Sequence, residues 1–390
     1  VLGYDAERSS GGEWRSVMAQ IPERTALVLG GGGLKGFAHI GVLRALAERG
    51  IEPALYAGTS IGSLIAAARV CGMTTDEMAR RALSLRRRDL FRLNHLGMLM
   101  ELMRAPSLYL AEPLQALCES VIGGGTFHTV GDLSAPLLVN TVDVERGTQL
   151  VWGLPGLKDV PIADAVYASC ALPGFFPPGQ VDNRVCIDGG TMDNLPVAAA
   201  SLGMQAVIAV DVGNFGLTPA KDIAAEGFGT IFMRAATVMM HALQQVPLTS
   251  WTGPPMLLIR PKIAHLNWFS FTHTQEIIDA GYEAAIAALD LVGDCLLSST
   301  GVYPRRPVSL EVDREKCIGC GTCVAMAPRL MRLDPSGKAY ALSREHQWSP
   351  ADGDFVHHCP TEAITAQFLD GTRRRTSAPE KEPTLDAADD

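Results

Sequence analysis

The segment TALVLGGGGLKGFAHIGVLRALAER, residues 25–49, decides the fold. Its first five residues, Thr25–Leu29, form a short apolar run that predicts a buried strand, and Gly30–Gly33 interrupt this strand. Helical periodicity then extends over Phe37–Arg49. The apolar face of this predicted helix contains Ile40, Leu43 and Leu46. The segment therefore predicts a strand, a glycine-rich turn and a helix in direct succession.

The same succession repeats further along the chain. Ile51–Ala57 predicts a second strand, Gly58–Gly62 a tight turn, and Ser63–Val70 a second helix. Two more apolar runs, Pro136–Val142 and Gln205–Val212, predict further buried strands. Alternating strands and helices are typical of a mostly parallel sheet that helices cover on both faces. We therefore expect an α/β fold.

Composition and charge narrow the class of protein. The chain has 390 residues, of which 47% are hydrophobic and 19% charged, with a formal charge of -9. This balance is typical of a globular protein with a large core, so disordered and fibrous classes are excluded. General nucleic-acid binding requires a basic footprint. We therefore expect no nucleic-acid partner.

The sequence also bears on the cellular compartment. No run of 18 apolar residues predicts a transmembrane helix, and the charged segment Val1–Gln20 lacks the apolar core of a secretory signal. Three of the nine cysteines fall within seven residues, which in such a chain indicates metal ligation rather than disulfides. We expect a cytoplasmic protein.

Composition shifts predict five segments. Residues 1–24 form a flexible arm, and 25–297 carry the strand–helix pattern. Residues 298–307, SSTGVYPRRP, form a linker rich in turn residues. Residues 308–367 form a second compact domain, and the polar tail 368–390 is predicted to be disordered.

The turn after the second predicted strand carries a candidate nucleophile. Gly58-Thr59-Ser60-Ile61-Gly62 fits the pattern G-x-S-x-G, in which small residues at Gly58 and Gly62 permit a strained turn that exposes the serine hydroxyl. The same five residues also suit an ordinary glycine-rich turn between a strand and a helix. The pattern alone leaves both interpretations open.

The turn after the first strand, Gly30–Gly36, offers free backbone N–H groups at a helix N-terminus. Such groups suit either a phosphate or a developing oxyanion. Gly31, Gly33 and Gly36 match the dinucleotide pattern G-x-G-x-x-G, but the nearby acidic residue, Glu52, starts the second strand, whereas a dinucleotide site needs one at its end. With Ser60 after the next strand, we favour the oxyanion.

A candidate base follows a later apolar run. Asp188-Gly189-Gly190 comes directly after Val185–Ile187, which places Asp188 at a predicted strand end. Functional groups of parallel sheets collect at such ends. A simple Asp-Gly turn is the alternative interpretation.

Together these motifs resemble the patatin-like phospholipase family, in its bacterial and neuropathy-target-esterase-like branch. The resemblance extends to Ala168–Pro178 and Asp193–Pro196, and it covers about Thr25 to Val292. It implies a three-layer α/β/α hydrolase domain with a Ser60–Asp188 catalytic dyad that acts on a phospholipid or lysophospholipid. It implies an oxyanion hole in the loop formed by Gly31, Gly32, Gly33, Leu34, Lys35 and Gly36, with the amides of Gly32, Gly33 and Leu34 as donors, and it assigns Gly189 and Gly190 to the acid motif.

Histidine residues offer an alternative to the dyad. In α/β-hydrolases the catalytic histidine follows the acid, and His241, His265 and His273 all follow Asp188. A lone histidine is more often structural, so we expect none of them to act on Ser60. His39, just inside the first helix, is expected to orient that helix or the glycine loop.

The C-terminal part carries a metal-binding motif. Cys317, Cys320 and Cys323 lie at a two-residue stride, and Cys359-Pro360 follows at a distance. This spacing lets one loop supply three corners of an iron–sulfur cubane while a distant cysteine supplies the fourth. Zinc sites with four cysteines instead use two separated C-x₂-C pairs.

Residues 308–367 resemble a bacterial-type ferredoxin domain, small and α+β in class. The resemblance implies that Cys317, Cys320, Cys323 and Cys359 bind one [4Fe–4S] cluster. In two-cluster ferredoxins a further cysteine follows after three residues, but Ala327 stands at that place. We therefore expect a single cluster.

Two segments suggest lipid contact. The basic run Arg86–Arg88 precedes the apolar residues Leu90–Leu93 and Leu96–Met103, and this combination suits a cap that touches a membrane peripherally or admits acyl chains. Trp268, Phe269 and Phe271 could line an acyl pocket. Ordinary packing against the core is the alternative for both segments.

The sequence thus predicts a serine lipid acyl hydrolase fused to a ferredoxin-like domain. Ester hydrolysis needs no electrons, so the cluster has no part in the chemistry at Ser60. Redox sensing, docking or electron transfer with a redox protein partner, and structural stapling are its candidate roles. The alternative function is an electron-transfer or docking protein whose hydrolase domain is secondary or inactive.

Overall fold

The computed structural model describes residues 21–93, 107–122, 128–213, 223–266, 268–293 and 295–369. Contacts divide the chain into two compact units, Val1–Tyr303 and Pro304–Asp390. Most of the predicted N-terminal arm and tail, and the apolar segment Leu96–Met103, lie outside the described residues.

The first unit contains one sheet, in which nine strands are described. Its strands are β1 (Thr25–Leu29), β2 (Leu55–Thr59), β3 (Leu137–Asp143), β4 (Thr148–Trp152), β5 (Gly179–Val181), β6 (Arg184–Asp188), β7 (Ala206–Val210), β8 (Met256–Ile259) and β9 (Val302–Tyr303). The strand order is β5-β6-β3-β2-β1-β7-β8-β9, and β4 pairs with β3 outside this path. The stretch from β3 to β9 is parallel, whereas β4, β5 and β6 pair in antiparallel fashion.

Helices flank this sheet. They are α1 (Ala38–Glu48), α2 (Ile61–Val70), α3 (Thr75–Ser84), α4 (Arg87–Leu90), α5 (Glu112–Ile122), α6 (Ile162–Cys170), α7 (Val197–Ala200), α8 (Phe228–Thr249), α9 (Thr274–Val292) and α10 (Cys295–Ser298). Helix α1 packs against α9 and α3, and helix α2 packs against α5 and α6. Strands β1, β2 and β7 are buried along their whole length, which gives the unit its core. The α/β class predicted from the sequence is confirmed.

The second strand begins later than the sequence predicts, at Leu55 instead of Ile51. The N–H of Ile51 donates to the carbonyl of Leu46 at 2.9 Å, and Gly50 adopts a positive φ of 67°. Residues after α1 therefore close the end of that helix before the chain can extend. Apolar character alone does not distinguish such a helix cap from a strand.

The segment interpreted as a linker, 298–307, contains regular structure. Val302–Tyr303 add a parallel strand to β8 at the edge of the first sheet, and strand β10 (Arg306–Val312) begins before the predicted linker ends. Main-chain pairing with β8 supplies an order that the turn-rich composition did not indicate.

The second unit is small and rich in strands. It contains α11 (Thr322–Met326), β11 (Met331–Leu333), β12 (Ala339–Ala341), β13 (Glu345–Trp348) and β14 (Ile364–Phe368). Strand β10 lies between β13 and β14 in an antiparallel sheet, and β11 and β12 form a hairpin. Its core contains Val308, Leu310, Met331, Phe355 and Ile364 together with Cys317 and Cys323. The Asp334 N–H donates to the Lys338 carbonyl at 2.9 Å, which closes the turn between β11 and β12.

Among the described residues, no helix is long and apolar enough to cross a membrane.

Candidate active site and candidate metal centre

Ser60 occupies a strained turn between β2 and α2. Its φ of 55° and ψ of −131° lie in a region that non-glycine residues rarely adopt. The Ser60 N–H donates to the Ser169 hydroxyl at 2.9 Å, and that hydroxyl donates to the Asn140 carbonyl at 2.7 Å. Ser169, fully buried on α6, therefore joins the strained turn to strand β3.

The close approach of α2 to the sheet requires the glycine at position 62. A Cβ on Gly62 would overlap the carbonyl of Leu29 on β1. Gly58 lies near the end of β2, directly beside Gly62. Because the first turn of α2 passes so near β1, the Ser60 side chain and the N-terminus of α2 stand beside the glycine loop.

Asp188 ends strand β6 and is buried. Its carboxylate accepts the Gly190 N–H at 2.8 Å. Burial raises the pKa of Asp188 to about 6, although the Gly190 amide and the nearby Ser60 hydroxyl oppose the rise. Gly189 and Gly190 form the turn that follows, Gly189–Thr191. Ser60 and Asp188 line one cavity.

The direction of the strand that carries Asp188 differs from the sequence-based expectation. Strand β6 is antiparallel to β3, with Thr141 opposite Asp188, whereas β2 is parallel to β3, with Asn140 opposite Thr59. Asp188 still stands at a strand end, but β3 lies between its strand and the strand that leads to Ser60. Sheet register, and not a shared parallel edge, brings the two residues together.

The glycine loop presents fewer free amides than the sequence predicts. The Leu34 N–H donates to the Trp268 carbonyl at 2.7 Å, so the predicted oxyanion donor at Leu34 is already engaged. Within the described part of the chain, the N–H groups of Gly32 and Gly33 have no main-chain acceptor. Gly31, Gly32, Gly33 and Leu34 line the same cavity as Ser60 and Asp188.

Lys35 and Gly36 lie in the short helical turn Gly33–Phe37 that leads into α1. Lys35 is buried, and desolvation lowers its pKa to about 8, although the charge of Asp211 opposes the shift. Asp211, also buried, pairs with Arg260 at 3.0 Å. Because Asp211 carries charge just beyond β7, it favours the protonated form of Lys35 behind the loop.

His39 supports the loop from α1. Its Nε2 donates to the Gly30 carbonyl at 2.8 Å, and burial lowers its pKa to about 4, so the ring is neutral near pH 7. This contact agrees with the expected role in orienting the loop. The alternative histidines make other contacts: His265 pairs with Glu276, and His273 bonds Ser270 and Thr272. No histidine belongs to the cavity lining in the described part of the chain.

The cavity above Ser60 has a volume of about 130 Å³. Its walls are mostly apolar and come from α1 to α6, from α8 and from the loops after α6 and β8; they include Leu64, Met78, Ala82, Leu114, Val121, Phe176, Met240, Trp268 and Phe269. Phe91 lies 4.8 Å from Tyr109 and 5.1 Å from Phe269 between ring centroids, which closes one wall. An apolar chain fits such walls, while the reactive groups of Ser60 and Asp188 stand at one end.

Three residues at the site carry roles that motif analysis did not assign: Ser169, Asn140 and Asn194. Asn140 Nδ2 donates to the Asp193 carbonyl at 2.6 Å and to the Thr59 hydroxyl at 3.2 Å. Asn194 Nδ2 donates to the Gly31 carbonyl at 3.0 Å, and Asn194 lines the cavity. Ser169 and Asn194 belong to the stretches that carried the resemblance, which was the available signal. Asn140 lies in an ordinary buried strand and gave none.

In the second unit the four predicted cysteine ligands surround one small cavity. Cys317, Cys320, Cys323 and Cys359 all line it. Cys317 and Cys320 lie on the loop that leads into α11, and Cys323 lies in α11 itself. In this loop Gly319 has a φ of 72°, and a Cβ there would overlap the Gly337 carbonyl. Among the described residues, no group of three or more ligand side chains is arranged around a single ion.

The chemistry of this cavity fits an iron–sulfur cluster. The Ala339 N–H donates to Cys317 Sγ at 3.4 Å, and the Ala363 N–H donates to Cys359 Sγ at 3.3 Å. Amide hydrogen bonds to sulfur tune the potential of such clusters. Ala327, which replaces the ligand of a second cluster, is buried in the core of the unit. Four cysteine side chains therefore line one cavity that also carries amide donors to sulfur.

Comparisons with known proteins agree with both sites. Residues 27–201 match the model of the patatin-like phospholipase family, and residues 312–366 match the 4Fe-4S single cluster domain of ferredoxin I. An uncharacterised NTE family protein of Mycobacterium tuberculosis is 34% identical over 200 residues, which cover 51% of this chain and 52% of the relative.

Two further proteins match different shares of this chain. Lysophospholipase NTE1 of Mycosarcoma maydis is 33% identical over 198 residues, 48% of this chain and 10% of that protein. The match to the crystal structure of VipD from Legionella pneumophila covers 69% of this chain and 67% of the VipD chain. The sequence identity is 16% and the TM-score is 0.39. The chain thus spans about half the length of the mycobacterial relative and a small part of the fungal one. It joins a domain of the patatin-like phospholipase family, with relatives in the NTE branch, to a C-terminal single-cluster 4Fe-4S ferredoxin domain.

Proposed function

We propose that the first unit hydrolyses carboxylic esters of lipids, with Ser60 as nucleophile and Asp188 as base. The observation that carries this proposal is a buried carboxylate of raised pKa, Asp188, that lines the same apolar cavity as the strained Ser60 turn. Perturbed titratable groups in a cavity mark functional sites. An intact nucleophile, base and glycine loop argue against the alternative of an inactive hydrolase domain.

In the proposed mechanism, Ser60 Oγ attacks the ester carbonyl while its proton passes to Asp188. The carbonyl oxygen becomes an oxyanion, which the N–H groups of Gly32 and Gly33 and the N-terminus of α2 stabilise. The tetrahedral intermediate collapses to an acyl-Ser60, and Asp188 returns the proton to the departing alcohol. Water then attacks the acyl group with Asp188 again as base, releasing the fatty acid.

A phospholipid or lysophospholipid is the proposed substrate class. The cavity is apolar along most of its length, which suits an acyl chain. One relative is named a lysophospholipase, and the matched family model is that of a phospholipase. Substrates of this class reside in membranes and micelles, so we expect peripheral contact between this unit and a lipid surface.

Fatty-acid release from a lysophospholipid tests the proposal. Ser60→Ala and Asp188→Asn should each lower the rate by at least about a thousandfold, because Ser60 forms the acyl bond and Asp188 transfers the proton. Ser201→Ala, whose hydroxyl bonds only the Ala198 carbonyl near the end of α7, is the matched control and should keep full activity. A fluorophosphonate probe should label Ser60 in the parent protein. Release that is equal in the parent and Ser60→Ala would refute the proposal.

For the second unit, we propose a ferredoxin-like domain over residues 308–367 in which Cys317, Cys320, Cys323 and Cys359 hold one [4Fe–4S] cluster. Such a cluster supplies one-electron redox chemistry when bound. The chain's own part is to supply four thiolates, to donate the amides of Ala339 and Ala363 to sulfur, and to exclude water with the core beside Cys317 and Cys323.

Iron and sulfide analysis of anaerobically purified protein tests this assignment. We expect four irons and four sulfides per chain, a count that follows from the cluster type. Replacing any of the four cysteines by serine should lower that content, whereas Cys295→Ser in the first unit should not. Stoichiometric zinc in place of iron would contradict the assignment.

Redox sensing is the proposed role of the cluster, and structural stapling and docking to a redox protein are its rivals. Hydrolysis by holo, reduced and cluster-free protein separates sensing from stapling, since only sensing requires the oxidation state to change the rate. Capture of a cytosolic oxidoreductase by the holo protein, lost in Cys320→Ser, would favour docking.

A further inference from the structure

Helix α8 (Phe228–Thr249) carries an unusual exposed surface. Its large side chains Ile231, Val238, Met239, Leu243 and Val246 are between 43% and 59% exposed. Their spacing of three, four and seven residues places them on one face of the helix, and we call them the α8 stripe. Ala235 and Ala242 lie between them and are also exposed. Soluble surfaces seldom expose a continuous apolar row of this length without a binding role.

The opposite face of α8 packs over the catalytic site. His241, Gln244 and Leu248 are buried, and the Gln244 Oε1 lies 3.5 Å from Asn194 Nδ2. Met240 lines the cavity that contains Ser60, and its methyl group lies 3.1 Å from the place where a Cβ on Gly190 would stand. One helix therefore has its inner side on the acid motif and its apolar stripe on the outer surface.

The chemistry of the stripe favours a lipid surface as its occupant. Among the described side chains between Ile231 and Val246, every exposed one is apolar, and the polar residues Arg234, Thr237 and Gln245 are half-buried. A lipid interface accepts a helix that lies in its plane with the apolar side immersed. Met240, on the inner side of α8, lines the catalytic cavity, so the same helix borders both the stripe and the proposed acyl site.

We propose that the α8 stripe is the surface by which the hydrolase unit inserts into a lipid interface. This inference rests on the proposed lipid ester hydrolysis. It differs from attraction through the exposed run Arg86–Arg88, because an apolar stripe needs no anionic lipid. Binding through α8 is therefore independent of vesicle charge and persists at high salt, whereas binding through the arginines requires anionic vesicles and falls with salt.

Flotation with neutral phosphatidylcholine vesicles tests the proposal, with Ser60→Ala throughout so that the vesicles stay intact. We expect this protein to float with the vesicles at low and at high salt. Adding Met239→Glu and Val246→Glu should weaken the partition by at least about tenfold, because two carboxylates would have to leave water. Leu291→Glu, at a 56% exposed apolar position on α9, is the matched control and should bind as well as Ser60→Ala alone.

The glutamate pair, made in the chain with Ser60 intact, should keep its Ser60-dependent hydrolysis of a soluble short-chain ester and its unfolding temperature. Loss of vesicle binding would then arise from the stripe and not from misfolding.

Vesicle binding that the glutamate pair leaves unchanged, or that appears only with anionic vesicles at low salt, would overturn the proposal. A dimer that the glutamate pair converts to a monomer, with vesicle binding unchanged, would assign the stripe to a second copy of this chain. A missing soluble-ester activity would instead refute the proposed hydrolysis while leaving the binding result intact.

Discussion

At the scale of single residues, the site depends on groups that are buried in unusual states. Asp188 is a buried carboxylate whose pKa stands at about 6, and Lys35 is a buried amine whose pKa stands at about 8. Ser60 holds a backbone conformation that its neighbours must enforce. Each of these states costs stability and gains reactivity, which is typical of catalytic sites.

The raised pKa of Asp188 predicts the acid limb of the pH–rate profile. The carboxylate must be ionised to accept the Ser60 proton, so kcat/KM should fall about tenfold per pH unit below pH 6 and level off above it. Hydrolysis of a soluble ester across this range, with unfolding followed in parallel, is the measurement. An acid limb with its midpoint near pH 4, the ordinary pKa of aspartate, would show that burial does not raise the pKa of Asp188.

Ser169→Ala should weaken both stability and catalysis. Without the hydroxyl, the part-buried Ser60 N–H and the buried Asn140 carbonyl each lose a partner, at a cost of up to about 1–3 kcal/mol per group. The loosened turn should also lower kcat by about ten- to a hundredfold with little change in KM, because the acyl chain still binds. Chemical denaturation and steady-state kinetics measure these effects, with Ser201→Ala for comparison. Unchanged kcat would show that Ser169 supports the fold alone.

At the scale of elements, the position of α2 against β1 decides where Ser60 stands. The helix begins directly at the strained turn, and its first residues pass the carbonyl of Leu29 without room for a side-chain carbon. The active serine, the glycine loop after β1 and the helix N-terminus meet because of this one contact.

Gly62→Ala should therefore push α2 away from β1. We expect a loss of about 1–3 kcal/mol in the free energy of unfolding, typical of overpacking, together with a fall in kcat. Gly131→Ala is the matched control, since its Cβ would meet nothing nearer than 3.3 Å. Denaturant unfolding of both variants checks the prediction, and equal stability of the two would contradict it.

At the scale of the whole molecule, the two units differ in the size of their hydrophobic cores. The first has a large core around its nine-stranded sheet, whereas the core of the second has few buried residues and includes two of the proposed cluster ligands. Small domains commonly need a metal or disulfide in addition to such a core.

Cluster removal should thus destabilise the second unit selectively. Calorimetry of the cluster-free protein, or of Cys317→Ser, should show the transition of the C-terminal unit lowered or lost while the main transition stays. Cys295→Ser should retain both transitions. A C-terminal transition that survives cluster removal unchanged would show that its protein core is sufficient.

The sequence by itself determined the features that depend on neighbours along the chain. The strand, glycine turn and helix at 25–49, the G-x-S-x-G turn and the stride of the three clustered cysteines follow from local sterics and from covalent spacing. These patterns sufficed to predict the α/β class, Ser60, Asp188 and the four candidate cluster ligands. The extent of β2 and the ordered strand inside the predicted linker were missed, because helix capping and pairing with β8 decide them.

Only the tertiary structure decided what depends on distant groups. The meeting of Ser60 and Asp188 at one cavity, the antiparallel direction of β6, the engaged amide of Leu34 and the support from Ser169 and Asn194 all join residues far apart in sequence. The same holds for α8, whose apolar pattern is as suitable for a buried helix as for an exposed one. Apolar periodicity identifies a face of a helix, but whether that face meets the core or the solvent is settled by what packs against the other side.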